Sequence, residues 1–464
     1  MEFSIKKIQA LGKAVAEEMK RCGYSPADNL YEVENGMREL QRQIGVAGLA
    51  AFLEKADEEL HEEIKTSASQ SDYYFHSYRP AVIWSVFGKI CIERRYYRYK
   101  NAKDREEKGF ACLDQKMGFS AGQVSPSLAE LLALEGVRTP FEEAAKKVEK
   151  HLLFRVSDNT LRKETEVFGA LQDEIEKELI RQSQDENWLQ KRQREEKAVH
   201  QGRIYGSVDG FMAPLLEGWK EFKALAWYNV VETTRYSAKR HRESEVGQQN
   251  NLQAENITYH CDKLEPEEFG QLFWATGCQR QADFYEERVF IGDGAKWIWN
   301  MVELYYPDAT LILDWYHASQ YLYKIAEEAF DVESDDYNQW IEKTKALLWE
   351  GRIPHLIAEC ERFTDQAATS KVACAAITFY TNNIDRMDYA RFRKEGYFIG
   401  SGTIESAAKR LGELRLKEAG ARWTRDGAVH TAKARAAWLG QHWEPIVARR
   451  SSRVLPVAVL PTTF

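Results

Sequence analysis

Residues 288–299 read RVFIGDGAKWIW. The run Val289-Phe290-Ile291 has the β-branched and aromatic content of a buried strand, and it ends on Asp293, held between Gly292 and Gly294, just before an amphipathic segment. Downstream, ATLILDW (309–315) repeats the pattern and again delivers an aspartate, Asp314. Between them, KWIWNMVELYY places Ile298, Trp299, Val302 and Tyr305 or Tyr306 on one helical face. Strand, helix, strand, with both strands apolar on both faces, predicts a parallel pair joined by a crossover. The chain therefore reads as α/β with a mixed sheet.

The mixing comes from upstream, where IYGSVDGFM (204–212) and FKALAWYNVVET (222–233) flank a turn containing Gly218, as an antiparallel pair does; the first carries Asp209. Ligands of open α/β sheets sit beyond the carboxyl ends of the strands, where Asp293 and Asp314 fall, with Asp209 beside them if its strand is adjacent. Converging carboxylates repel one another, and divalent cations relieve that repulsion. Oxygen-only ligands favour Mg²⁺ or Mn²⁺ over zinc. Taken singly, each aspartate also reads as a turn residue or helix cap.

Composition bounds the class. A chain of 464 residues exceeds one core, so several domains are expected. With 44% apolar residues and no long apolar run or N-terminal signal pattern, it reads as a folded, cytoplasmic protein with no membrane partner. Seven cysteines, odd in number and without CxxC spacing, read as buried free thiols rather than a disulfide framework or zinc ribbon. The net charge of −8 hides a basic end: residues 391–464 hold 14 Lys/Arg and 6 Asp/Glu. Phosphate affinity depends on such local patches.

The first 75 residues or so carry helical periodicity, and AVIWSVFGKICIERRYYRYK (81–100) predicts a β-hairpin around Phe87-Gly88. At its exit Arg94, Arg95, Arg98 and Lys100 interleave with Tyr96, Tyr97 and Tyr99, a pattern shared by nucleic-acid-contacting strands and ordinary edge strands. Residues 125–180 read as helices with breaks at 136–140 and 157–159. The last two resemble a helix-turn-helix with Arg162 and Lys163 on the second helix, an arrangement used for DNA and, as often, for packing alone. From Gln172 to His200 the chain is almost continuously polar, which predicts a solvated helix or linker and a domain boundary.

A fourth acid lies in FIGSGTIESAAKRLGELRLK (398–417), where GSGT opens a helix with the stripe Ile404, Ala408, Leu411 and Leu414 or Arg415. Glu405 sits in its first turn, off that stripe, where an acid also complements the helix dipole. Lys409, Arg410, Arg415, Lys417, Arg422 and Arg425 crowd the following turns. A carboxylate able to complete a metal site, beside cations able to hold phosphates, points to phosphodiester chemistry.

Asp209 in SVDG, IGDGAKWIW, the DWYH of 314–317 and IGSGTIES together resemble DDE transposases of bacterial insertion sequences, in the Kra-type branch related to Mutator-like elements. The likeness covers most of residues 80–445. It implies a ribonuclease-H-like catalytic fold in which Asp209, Asp293 and Glu405 hold Mg²⁺ or Mn²⁺, as two ions, with Asp314 and His317 accessory. Its implied activity is cutting and joining double-stranded DNA at element ends, by a homodimer or higher oligomer at the bacterial nucleoid. The corresponding division is a helical region (1–78), a β-hairpin region (79–115), a helical, helix-turn-helix-like DNA-binding domain with linker (116–198), a catalytic domain (199–330 and 391–445) with a helical insertion (331–390), and a tail (446–464). Asp293 and Glu405 lie 112 positions apart, too far for a loop, and the helical pattern between them fits the insertion. Trp340 and Trp349 within it read as core residues or as platforms for an extruded base.

One departure stands out. Relatives often carry a Cys-containing knuckle before the segment matching ACLDQKMGF (111–119), and here that place reads YKNAKDREEKG, without ligand spacing. A zinc-assisted DNA contact is not expected. Rival readings are a ribonuclease-H-like nuclease without strand transfer, a catalytically inactive DNA-binding relative, and a glycosidase using two of the carboxylates without metal.

Overall fold

The computed structural model describes residues 5–25, 29–67, 73–100, 109–118, 124–195, 200–232, 252–400 and 407–452. Glu405 lies outside the described residues. The chain forms two compact units, Met1–Glu164 with Val447–Phe464, and Thr165–Ile446. Among the described residues no helix is long and apolar enough to cross a membrane.

The first unit contains α1 (Ile5–Arg21), α2 (Leu30–Ser67), the hairpin β1 (Tyr73–Ser85) and β2 (Gly88–Tyr99), α3 (Cys112–Met117), α4 (Pro126–Arg138), α5 (Phe141–Leu152) and the start of α6 (Asp158–Ser183). Gly88, at φ +116°, closes the tight turn that pairs it with Ser85. Pairing runs back from there to Tyr73, so strand replaces the helix expected up to residue 78. Leu53 of α2 packs with Ile83, Ile90 and Ile92 of the hairpin and Leu113 of α3. Two of the four cations at the hairpin's exit are consumed internally: Arg94 makes a bidentate pair with Asp114 (2.5 and 2.6 Å), and Arg95 pairs with Asp57 at 2.8 Å. Those two side chains belong to the edge-strand reading.

The second unit continues α6 and adds α7 (Glu186–Glu195), then β3 (His200–Leu215), β4 (Gly218–Glu232), β5 (Leu252–Asp262), α8 (Pro266–Gln279), β6 (Tyr285–Gly292), α9 (Lys296–Tyr305), β7 (Thr310–Leu313) and α10 (Trp315–Ala329). A helical block follows in α11 (Asp335–Trp349), α12 (Ile353–Glu361), α13 (Ser370–Asn382) and α14 (Tyr389–Lys394), and then α15 (Arg425–Leu439). The five strands form one sheet in the order β5-β4-β3-β6-β7, with β3, β4 and β5 antiparallel and β6 and β7 parallel to β3. Trp227 anchors one face: its ring stacks on Phe273 of α8 at 5.2 Å, its Nε1 donates to Thr276 Oγ1 at 3.0 Å, and Phe290 closes against it at 5.5 Å. Burying a side chain of that kind contributes about 1.5–3 kcal/mol. Trp340, 6% exposed against Phe363, is core.

Of the solvated helix or linker expected from Gln172 onward, the helix is what forms: α6 runs to Ser183, and α7 buries no residue, while within α6 Gln172 and Glu176 are buried and the Glu176 charge is met by Lys433 from a distant part of the chain. The two compact units divide within α6, between Glu164 and Thr165. Among the cysteines, Cys22, Cys91 and Cys374 are exposed, while Cys112, Cys261, Cys278 and Cys360 are buried as expected.

Candidate functional site

Register brings the three aspartates level. Val208 of β3 pairs with Gly292 of β6, and Gly292 pairs with Leu313 of β7. Asp209, Asp293 and Asp314 are the next residues on three neighbouring parallel strands, which lie about 4.8 Å apart. Asp314 N donates to Gly292 O at 2.8 Å, extending the ladder to that level.

Their surroundings differ. Asp293 is half-buried, and its Oδ1 accepts from Ala295 N at 2.9 Å, a local turn that fixes the carboxylate at the strand end. Asp209 is also half-buried, with Oδ1 accepting from Gly210 N at 2.8 Å. It shares its face of β3 with Ser207 and Phe211. Asp314 is fully buried and is the N-cap of α10: its Oδ2 accepts from His317 N at 2.8 Å and lies 3.0 Å from His317 Nδ1. The cap reading thus holds for Asp314, with His317 as its partner. Burial, with the nearby Asp314 adding to it, pushes the phenols of Tyr228 and Tyr389 above their usual range.

Ile399 and Gly412 both contact this end of the sheet. Ile399 O accepts from Trp315 N at 3.2 Å, and Gly412 packs so tightly on Phe211 that a Cβ there would lie 2.3 Å from its ring. Gly412 belongs to a π-helical turn, Lys409–Glu413, whose wider pitch rotates the following residues by about one position. As a result Arg415 is buried at 2% exposure while Leu414 is 52% exposed. Burial pushes the Arg415 guanidinium down to about 10, and Arg435 is held at about 10 by burial and by the neighbouring Arg415 and Arg410. Lys409, Arg410, Arg422 and Arg425 are exposed, and Lys417 is half-buried. In the first unit Lys163 is exposed and Arg162 donates to Asn159 Oδ1 at 2.8 Å.

A second acidic group was not anticipated. Asp173 and Glu176 of α6 and Asp262 of β5 bring carboxylate oxygens within 4.8 Å of one another, spacing that suits a cation. The cation is Lys433 of α15, whose Nζ lies 2.5 Å from Glu176, 2.5 Å from Asp262 and 3.1 Å from Asp173. His260 Nδ1 sits 2.9 Å from the other Glu176 oxygen, and the His442 ring stacks on His260 at 4.9 Å. Burial alone would neutralise Lys433 and Glu176, yet their mutual attraction holds the lysine above and the glutamate below their usual ranges. The Lys433 ammonium already supplies these carboxylates with a counter-charge and ties α6, β5 and α15 together.

The level aspartates fit a hard divalent cation better: Asp209 and Asp293 are half-exposed oxygen donors on adjacent strands. Sequence reasoning missed the Lys433 network because its members span residues 173 to 433, and only the placement of a Lys within an Ala-rich helix, TAKARAAWL, signalled a buried charge. No curated protein matches the chain. Residues 27–445 match the uncharacterised protein family UPF0236, and the chain belongs to that family.

Proposed function

We propose that this protein is a DDE transposase that cuts and joins double-stranded DNA at insertion-sequence ends, with a ribonuclease-H-like catalytic domain. The observation that carries the reading is the common level of Asp209, within β3, with Asp293 and Asp314, which follow the last residues of β6 and β7. Three antiparallel strands followed by two parallel ones, with acids on the first strand and after the fourth, are what the ribonuclease-H-like expectation calls for. Helices α11 to α13 lie between Asp293 and Glu405 in the sequence, which supports the implied insertion.

Asp209, Asp293 and Glu405 would hold Mg²⁺ or Mn²⁺. A bound divalent cation supplies Lewis-acid activation of the attacking oxygen and charge stabilisation on the leaving one. The protein's own share is positioning. The Ala295 N–H fixes Asp293, and the His317 cap fixes Asp314 at the mouth of α10. Exposed Lys409, Arg410, Arg422 and Arg425 supply phosphate contacts without base specificity. Joining two ends in one reaction calls for a homodimer or larger assembly.

The test is Mn²⁺-dependent nicking of supercoiled plasmid by wild type and Asp293→Asn, with DNA binding followed in parallel. The expected result is nicking by the wild type alone and binding by both. Binding without nicking by either protein removes the catalytic part, and absence of binding removes the nucleic-acid reading. Joining of pre-cut ends to a target separates a transposase from a nuclease of the same fold.

A further inference from the structure

A pocket of about 730 Å³ opens at the residue after Asp293, between Gly294, α9, α10 and α13. Its back is aromatic. Phe379 packs on Gly294 so closely that a Cβ would lie 2.6 Å from the ring, and the φ of +98° there independently suits glycine. Tyr321 meets Phe379 at 4.6 Å between ring centroids. Deeper in, Trp299 is 3% exposed and its indole N–H has no hydrogen-bond partner. The Arg386 guanidinium lies 4.9 Å from the Trp299 ring, held by Glu303 at 3.1 Å and the Asn382 carbonyl at 3.2 Å, while its Nε is likewise buried without a partner. Lys296, at the start of α9, is exposed and lines the same pocket.

Two unmet donors in a buried aromatic wall are costly unless an acceptor-bearing ligand meets them. A planar base satisfies the rings by stacking and the donors through its edge, and a phosphate suits the lysine. Among the bases, guanine presents two adjacent acceptors, O6 and N7, on one edge, whereas adenine offers an acceptor beside a donor. We infer that this pocket binds a single unpaired nucleotide, with guanine as the preferred base, beside the carboxylates at the strand ends. The inference takes its meaning from the phosphodiester reading and deepens it, since it assigns the reacting strand an unpaired base next to the site.

The exposed thiol of Cys374, which lines the pocket, provides the readout. The full-length protein is alkylated with N-ethylmaleimide without divalent metal, with dGMP or dAMP titrated in, and modification is followed by peptide mass spectrometry. Exposed Cys22 and Cys91 serve as internal controls. dGMP is expected to slow alkylation of Cys374 alone by about fivefold or more, and dAMP to require about tenfold higher concentration. Phe379→Ala should abolish protection. Ala375→Trp, a substitution at an exposed lining position, should do the same by filling the pocket without removing packing.

No protection at millimolar dGMP, or protection that survives both substitutions, overturns the pocket. Equal protection by dAMP overturns the assignment to guanine. Asp293→Asn is run alongside: if it keeps dGMP protection while wild type fails to nick plasmid, the catalytic reading fails and the pocket stands, and the reverse pattern isolates failure of the pocket.

Discussion

Asp173, Glu176 and Asp262 close around the Lys433 ammonium, whereas Asp209, Asp293 and Asp314 stand level across three neighbouring parallel strands. Both groups lie in the second unit and both bring acids together from distant parts of the chain. The first resolves its repulsion with a side chain delivered by α15, so its charges are spent on holding α6, β5 and α15 together. In the second, two of the three acids are half-exposed, and each accepts a hydrogen bond from a nearby backbone N–H, Gly210 for Asp209 and Ala295 for Asp293. Acid spacing alone therefore does not mark a functional site. What separates the two on the described contacts is burial: Glu176 and Asp262 are buried around an ammonium, whereas Asp209 and Asp293 are half-exposed at the sheet.

The largest effect expected from breaking this contrast is in the closed cluster. Lys433→Met leaves carboxylates buried without their cation and should destabilise the protein by about 3–5 kcal/mol. Urea denaturation of the purified variant measures it; a loss below about 1 kcal/mol would mean that the network contributes little. Asp293→Asn should behave oppositely. Its amide oxygen can still accept from Ala295, so stability should stay within about 0.5 kcal/mol, while nicking should fall about a hundredfold or more, roughly 3 kcal/mol in the barrier. A variant that loses stability and activity together would place Asp293 with the structural acids.

Proton linkage sharpens the contrast further. Burial and the neighbouring His260 push the His442 imidazole down to about 4 from its usual 6.5, so the folded protein keeps it neutral where the unfolded chain takes up a proton. Its contribution is therefore fully present above pH 6.5 and is lost as pH falls through the interval from 6.5 to 4. The loss should be on the order of 2 kcal/mol. Glu176, held below its usual range by Lys433 and His260 against the opposing effect of burial, adds a further loss at lower pH in the same direction. Denaturation curves from pH 7 to 4.5 should show the decline in wild type and a flatter profile in His442→Phe.

How much of this could be read in the sequence follows from the range of the interactions. The β6-α9-β7-α10 run was legible because each strand is a continuous apolar stretch and each helix buries a stripe that includes Ile298, Trp299 and Val302. β5 escaped notice because Leu252–Asp262 is polar along much of its length and kinks at Asn256, whose φ is +52°. The run from Gln172 looked solvated because the cation that buries Glu176 is 257 residues away. Arg415 was grouped with exposed cations because a regular helix was assumed, and the π-helical turn changes which residue faces in. The pocket beside Asp293 depends on Phe379 and Arg386 meeting Gly294 and Trp299, contacts that no local pattern announces.

Asp314 gives the finest discrimination, since it belongs to the level row yet is wholly buried and caps α10. If capping is its whole role, Asp314→Asn keeps an acceptor for the His317 N–H and should cost only a few tenths of a kcal/mol, while Asp314→Ala should cost about 1 kcal/mol. Nicking at saturating Mn²⁺ should then follow the folded fraction in both variants. A role in holding the cation predicts a different split. Asp314→Asn would preserve stability but raise the Mn²⁺ concentration needed for half-maximal nicking, because the amide keeps the cap and loses the charge. Measuring stability and Mn²⁺ dependence on the same pair assigns Asp314 to one side of the comparison, and the physical reason is that a cap needs only an acceptor oxygen whereas a divalent cation needs the negative charge.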